Sequence, residues 1–173
     1  MAAGRTYTPI ATQTITGTVS TVTFSNIPQT YTDLVLVSSA RSAAGDRVSA
    51  FYFDLNGLTS NIYSRTYLLG DGSSASSGRA TSQGLGQLGT NTGTVSDGGV
   101  FAITTSHIMN YTNTNTYKTV ISRNNIQQPT AGASVSAYIN LVQTTAAVTS
   151  LTLYTVSSFV AGSTFTLYGI AAA

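Results

Sequence analysis

Apolar and polar residues alternate with a period of two along most of this chain. In SVSAYINLVQ (134–143), Val135, Ala137, Ile139 and Leu141 fall on one face while Ser134, Ser136, Tyr138 and Asn140 fall on the other. That is the signature of a strand with one face in a core, and it assigns the aliphatic set to the core side. SAFYFDLNG (49–57) repeats the device with Phe51, Phe53 and Leu55 inward. Asn56-Gly57 then signals a tight turn, since both residues tolerate positive φ, and predicts a hairpin into NIYSRTYLL (61–69). Further strands are expected over 10–16, 20–24, 33–40, 100–109, 116–123, 148–156 and 163–170, about ten in all with turn signals between them.

No segment of ten or more residues carries a 3.6-residue period. Strands without crossover helices pair mainly antiparallel, and two such sheets bury their apolar faces against each other. The expected fold class is therefore all-β: an antiparallel β-sandwich, jelly-roll-like, with a trimeric β-prism or a barrel as alternatives that periodicity does not separate. The domain organisation expected is an N-terminal arm over 1–9 and a single sandwich domain over 10–173, large enough to bury roughly 70% of its unfolded surface.

One stretch interrupts the alternation. LLGDGSSASSGRATSQGLGQLGTNTGTVSDGG (68–99) is mostly Gly, Ser, Thr, Ala and Asn. Its GLGQLG (84–89) matches G-x-G-x-x-G, but no helix follows and no Walker Lys-Ser/Thr pair is present, so a phosphate cradle is not expected. As a linker it would split one core into two marginal ones. The reading that remains is a long loop on one sandwich, with room for a short strand around 83–88, of a length that usually signals function or partner contact.

Composition sharpens this picture. Charged residues make up 7% of the chain, against about 25% in an ordinary domain, and there is no Glu. Ser and Thr must cover the surface, and Thr favours strands because its branched Cβ fits a pleated sheet. Few charges and three Pro are available to block sheet edges, which suggests residence in an assembly or loops over the edges. The absence of Cys excludes disulfides, thiolate metal sites and a Cys nucleophile. The net charge is +2, but the six Arg and Lys118 are scattered singly, so no nucleic-acid footprint forms. With no signal-peptide pattern and no apolar run near the roughly 20 residues of a membrane span, the chain is expected to be soluble, made in a cytosol and not exported by the usual route.

The candidate chemistry is sparse. The five acids are Asp33, Asp46, Asp54, Asp71 and Asp97. Asp54 with Asp71, or Asp71 with Asp97, is the pairing a glycosidase would need, and Asp71 or Asp97 could ligate Ca²⁺. Asp beside Gly, as in GDG and SDGG, is ordinary turn chemistry and is the favoured reading. His107 is the sole His, too few for a zinc site, and no G-x-S-x-G occurs for a serine triad. No enzyme, cofactor or metal is therefore expected. Ten Tyr interleaved with Ser, Thr and Asn could serve sugars or a protein interface. Tyr111 and Tyr117 flank TNTNT (112–116), which reads as an exposed hairpin tip.

Three blocks carry a resemblance: VTFSNIPQTYTDLVLVSSARS (22–42), SNIYSRTYLLGDGSSASSG (60–78) and LTLYTVSSFVAGSTFTLYGI (151–170). Together they resemble virion structural proteins of tailed phages, notably those of aquatic and cyanobacterial hosts, while 81–132 is particular to this chain. The resemblance implies a non-enzymatic β-sandwich on a phage particle, with no catalytic motif to carry over. The leading expectation is a capsid decoration or cement protein, homotrimeric, whose partners are the major capsid protein or other virion proteins. The alternative is a tail-fibre or baseplate module that contacts host glycan. Contact residues expected are Arg5, Tyr7 and Pro9 on the arm, Asp71 and Arg79 in the Gly/Ser stretch, and Tyr111 and Tyr117 at the hairpin tip.

Overall fold

Each of the ten expected strands forms, because each combines β-branched or aromatic residues with one face that finds cover. The computed structural model describes residues 6–96, 98–127 and 133–171. Twelve strands and no helix occur among them: β1 (Tyr7–Thr14), β2 (Val19–Phe24), β3 (Asp33–Ala40), β4 (Val48–Leu55), β5 (Tyr63–Gly70), β6 (Ala75–Gln83), β7 (Gly86–Thr92), β8 (Ala102–Ile108), β9 (Lys118–Ile126), β10 (Ser134–Val142), β11 (Leu151–Phe159) and β12 (Thr164–Ile170). They form an eight-stranded sheet, β1-β12-β3-β8-β9-β10-β5-β6, and a four-stranded sheet, β2-β11-β4-β7. All the pairings within them are antiparallel. The fold is an antiparallel β-sandwich; the strand order carries that much of the expectation and not the jelly-roll connectivity.

An aromatic cluster joins the two sheets. Phe51 of β4, Phe159 of β11 and Phe165 of β12 are fully buried. The Phe159 and Phe165 rings lie edge to face at 4.9 Å, and Phe51 meets Phe159 at 6.0 Å. Each such ring stabilises the fold by about 1.5–3 kcal/mol through burial alone. Leu36, Leu153 and Leu167, none exposed at all, fill the space around them.

Four expectations are corrected. The stretch 68–99 is no long loop: it holds β6 and β7, one at the edge of each sheet. Its residues are poor strand formers on propensity, but β6 gains a full antiparallel partner in β5, and β7 is almost wholly buried. The arm expected over 1–9 yields Tyr7 and Pro9 to β1, which begins three residues early because β12 offers a pairing edge back to Tyr7. The Asn56-Gly57 turn forms with φ of 58° and 70°, yet it joins strands of different sheets, so β4 and β5 do not pair as a hairpin.

The fourth correction concerns which side of β10 faces the core. Val135, Ile139 and Leu141 are 68%, 52% and 38% exposed, whereas Ser136, Tyr138 and Asn140 are buried. The physical reason is β7, which packs over β9 and β10 with one edge unpaired. Asn140 Nδ2 donates to the Gln87 carbonyl (2.8 Å), and its Oδ1 accepts from the Gln87 N–H (3.0 Å). Asn124 does the same for Thr90, at 2.9 and 3.2 Å, and Ser122 Oγ donates to the Leu88 carbonyl at 2.7 Å. Side-chain amides thus complete the ladder that a neighbouring strand would have supplied. Five backbone groups left bare would cost about 1–3 kcal/mol each. Three aliphatic side chains turned inward would gain about 1.5–3 kcal/mol each. The count of groups favours the polar face inside.

Glycine makes this approach possible. A Cβ at Gly89 would stand 2.5 Å from the Asn124 Cβ, and one at Gly86 would stand 2.2 Å from the Phe53 ring. The spacing that looked like a nucleotide fingerprint is what lets β7 lie against its neighbours.

Candidate functional site

The inversion of β10 extends across its neighbours, because strand register carries a face from one strand to the next. In one cross-strand row, His107 of β8 lies opposite Ile121 of β9, then Ile139 of β10, then Thr66 of β5 and Arg79 of β6. The next row runs Val37, Thr105, Arg123, Ala137, Leu68 and Ser77. A third contains Ile103, Asn125 and Val135. Val37, Leu68, Ile103 and Ile121 are between 38% and 64% exposed, as are Ile139 and Leu141. The outer face of the large sheet is therefore a field of aliphatic and Thr side chains with two guanidinium groups, Arg79 and Arg123, and no carboxylate in these rows.

Three hollows pit this face. One of about 380 Å³ lies between Leu68, Ala75, Arg123, Val135 and Ala137. A second, about 280 Å³, has Arg123 again, with Ile103, Thr105 and Asn125. The third, about 230 Å³, is framed by Arg79, Thr66, Ile139 and Leu141. Each of these three pairs an aliphatic wall with a guanidinium, which together can receive an apolar side chain and an anionic group; a further hollow of about 240 Å³ at the rim, among Asp71, Asn125 and Val135, has a carboxylate instead.

The expected contact residues scatter. Arg5 lies outside the described residues. Tyr7 is half exposed on the edge strand β1, its ring edge-on to Tyr168 at 6.1 Å, and Pro9 is exposed beside a bulge in the same strand. Both stand at the opposite end of the large sheet from Arg79. Tyr117 is 54% exposed in the β8–β9 connection. Tyr111 is corrected: it is fully buried, its hydroxyl donating to the Pro28 carbonyl and accepting from the Tyr31 N–H. Burial pushes its pKa up. The connection is tied down from beneath as well by Lys118, also fully buried, which donates to the carbonyls of Asn113, Thr116 (3.0 Å) and Thr145 (3.2 Å). Desolvation lowers the pKa of this ammonium.

Three of the carboxylates, Asp33, Asp54 and Asp71, serve the fold. Asp71 Oδ1 accepts from the Ser73 and Ser74 N–H groups at 2.9 and 2.7 Å, and both serine hydroxyls donate to the same carboxylate. These bonds, the Ser73 N–H foremost, hold it well below the usual carboxylate range and close the β5–β6 hairpin. Asp54 is buried between the Gly57 N–H and the Tyr154 hydroxyl. Asp33 accepts from the Asn110 N–H at 2.7 Å. Asp97, the other Ca²⁺ candidate, lies outside the described residues, and no cluster of three or more metal-ligating side chains occurs among those described. No helix among them is long and apolar enough to cross a membrane.

No family model, curated protein or solved structure matches this chain. The geometry of the outer face therefore has to carry the functional reading. Sequence reasoning missed that face by assigning its aliphatic side chains to the core. The signal that could have found it was the inner set, Ser122, Asn124, Ser136 and Asn140: four small polar residues, two of them amides, on one face of adjacent strands.

Proposed function

We propose that this chain is a non-enzymatic structural protein of a tailed-phage particle, a decoration protein that docks as a homotrimer on the assembled head. The observation that carries the reading is the outer face of the large sheet, where aliphatic side chains on β8, β9, β10 and β5 stand exposed next to one another across paired strands. A contiguous exposed apolar face of this kind marks a protein–protein contact. The three blocks that resemble virion proteins contribute β3, β5, β11 and β12, the frame of both sheets. The stretch particular to this chain contributes β8 and β9, two strands of the exposed face, together with β7, which packs against their inner side from the other sheet.

Binding only to the assembled shell would stabilise it by mass action. The test is to add the purified protein to heads lacking it, then follow co-sedimentation and the temperature at which the heads release their contents. Saturable binding with a raised release temperature is expected. Exclusive location on the tail by electron microscopy overturns the reading. The alternative of a tail module contacting glycan draws on aromatic side chains, and of the ten tyrosines only Tyr7 and Tyr117 are half exposed or more. Glycan binding that disappears in Tyr117→Ala would favour it.

A further inference from the structure

We infer that the outer face of the large sheet docks a protein segment of one particular chemistry: aliphatic side chains flanked by carboxylates. The inference deepens the reading of this face as a contact surface and rests on it, but does not depend on whether the partner belongs to a head or a tail.

Shape comes first. The three hollows lie side by side across β8, β9, β10, β5 and β6, and their walls are Ile103, Val135, Leu68, Ile139 and Leu141. Hollows of 230–380 Å³ lie below or at the small end of the roughly 300–1,000 Å³ of small-molecule sites, and each has room for an aliphatic side chain of Leu or Ile size. No tyrosine lies in the hollows, so the flat aromatic platform on which a sugar ring stacks is missing from them. Charge comes second. Arg123 borders two hollows and Arg79 the third, and the rows containing them hold no acid. Docking an aliphatic surface here strips water from both guanidinium groups, which costs free energy unless an anion meets each one. A carboxylate answers the planar fork of Arg with two parallel hydrogen bonds. A second copy docked about a two-fold axis through the Arg123 hollows would bring Arg123 against Arg123, and the acid at the rim of this face, Asp71, is already engaged by Ser73 and Ser74.

The occupant is therefore a partner protein whose contact segment alternates aliphatic residues with Asp or Glu. A strand or extended segment fits best, since the hollows repeat across the sheet and alternate side chains of an extended chain project to one side.

The probe is a random 16-residue peptide library selected against the full-length protein, in parallel with selection against Arg123→Gln. Peptides combining Ile, Leu or Val with Asp or Glu should be enriched on the native protein. Synthetic versions should bind about tenfold or more weaker to Arg123→Gln and to Leu68→Ser/Val135→Ser, and weaker at high salt. All substituted positions are exposed, and unchanged thermal unfolding of the variants shows that the fold is intact. Enrichment without carboxylates, no enrichment, or equal binding to Arg123→Gln overturns the inference. So does sedimentation showing a dimer that Val135→Ser/Ile139→Ser dissolves, which would assign the face to a second copy. Head binding that needs Leu68 and Val135 but ignores Arg123 would leave the contact surface standing and remove only the acidic partner.

Discussion

The interior of the sandwich is built in two different ways. Where β4 and β11 meet β12 the filling is aromatic, with Phe51, Phe159 and Phe165 packed ring on ring. Where β7 meets β9 and β10 the filling is polar, with Asn124, Asn140 and Ser122 bonded to the backbone of a Gly-rich strand. The first kind of contact is non-directional and grows with the area removed from water. The second depends on geometry at single atoms, because a buried backbone group either has its partner or does not. The difference has an outward consequence. A strand whose polar face is needed inside must show its aliphatic face to the outside, so the latch on β7 and the contact surface are two sides of the same strands, β9 and β10.

The most disruptive single change should fall in the aromatic half. Phe165→Ala removes a ring in contact with two others, and should cost about 3–5 kcal/mol in denaturant unfolding, through lost transfer energy and the cavity left behind. Asn140→Ala should come next, at about 2–4 kcal/mol, because it leaves the N–H and C=O of Gln87 buried without partners. Hydrogen exchange separates the two mechanisms. Loss of Phe165 should speed exchange across both sheets together, whereas loss of Asn140 should speed the Gln87 amide well beyond its neighbours in β4. Equal, global acceleration in both variants would erase the distinction between the two halves.

The contrast also explains what could be read from the sequence. Alternation found ten of the twelve strands and the inward set Phe51, Phe53 and Leu55, since a Phe-rich face has only one favourable destination. It could not choose a side for SVSAYINLV, where one face is aliphatic and the other is Ser, Tyr and Asn, because that choice depends on β7. And β7, GQLGTNT, carries almost no strand propensity of its own. It is held by partners 34 to 53 residues away, which no local pattern reports. The same blindness placed Tyr111 at an exposed tip, when its ring fills a buried site under Pro28.

Tyr63 belongs to both worlds and gives a smaller, pH-dependent effect. Its ring stands edge-on to Phe53 at 5.8 Å, while its hydroxyl accepts from the Leu55 N–H (3.1 Å) and donates to the Leu58 carbonyl (2.8 Å). Burial pushes its pKa up to about 12, and burial with the bond to Asp54 does the same for Tyr154. Both hydroxyls thus keep their protons in the folded state after the unfolded chain has begun to lose its own near pH 10. Between pH 10 and 12 the folded state binds more protons than the unfolded, so stability falls as pH rises through that window. Unfolding free energy measured from pH 9 to 12 should show this slope, and Tyr154→Phe should flatten it by up to one proton. A slope unchanged in Tyr154→Phe would mean that this hydroxyl ionises in the folded state as it does in water.

The smallest effect should come from a latch with the same directional geometry but no burial. Asp71 gathers four donors from Ser73 and Ser74, more than Asn140 receives and gives at Gln87, yet it stands in solvent at a hairpin tip. If hydrogen-bond geometry alone set the cost, Asp71→Ala would rival Asn140→Ala. If burial sets it, water replaces the lost carboxylate at once and the unfolding midpoint hardly moves, while the Ser73 and Ser74 amides exchange faster. The second outcome is expected, because a donor reaching water loses little by losing its protein partner. The carboxyl's own titration reports the latch directly. Its folded pKa is depressed, so the contribution is present above the unfolded value of 3.8 and fades as pH falls through the lower folded one. A carbon NMR titration of the side chain should therefore find Asp71 still ionised at pH 3.8, and replacing both Ser73 and Ser74 by Ala should move its midpoint back up towards that value.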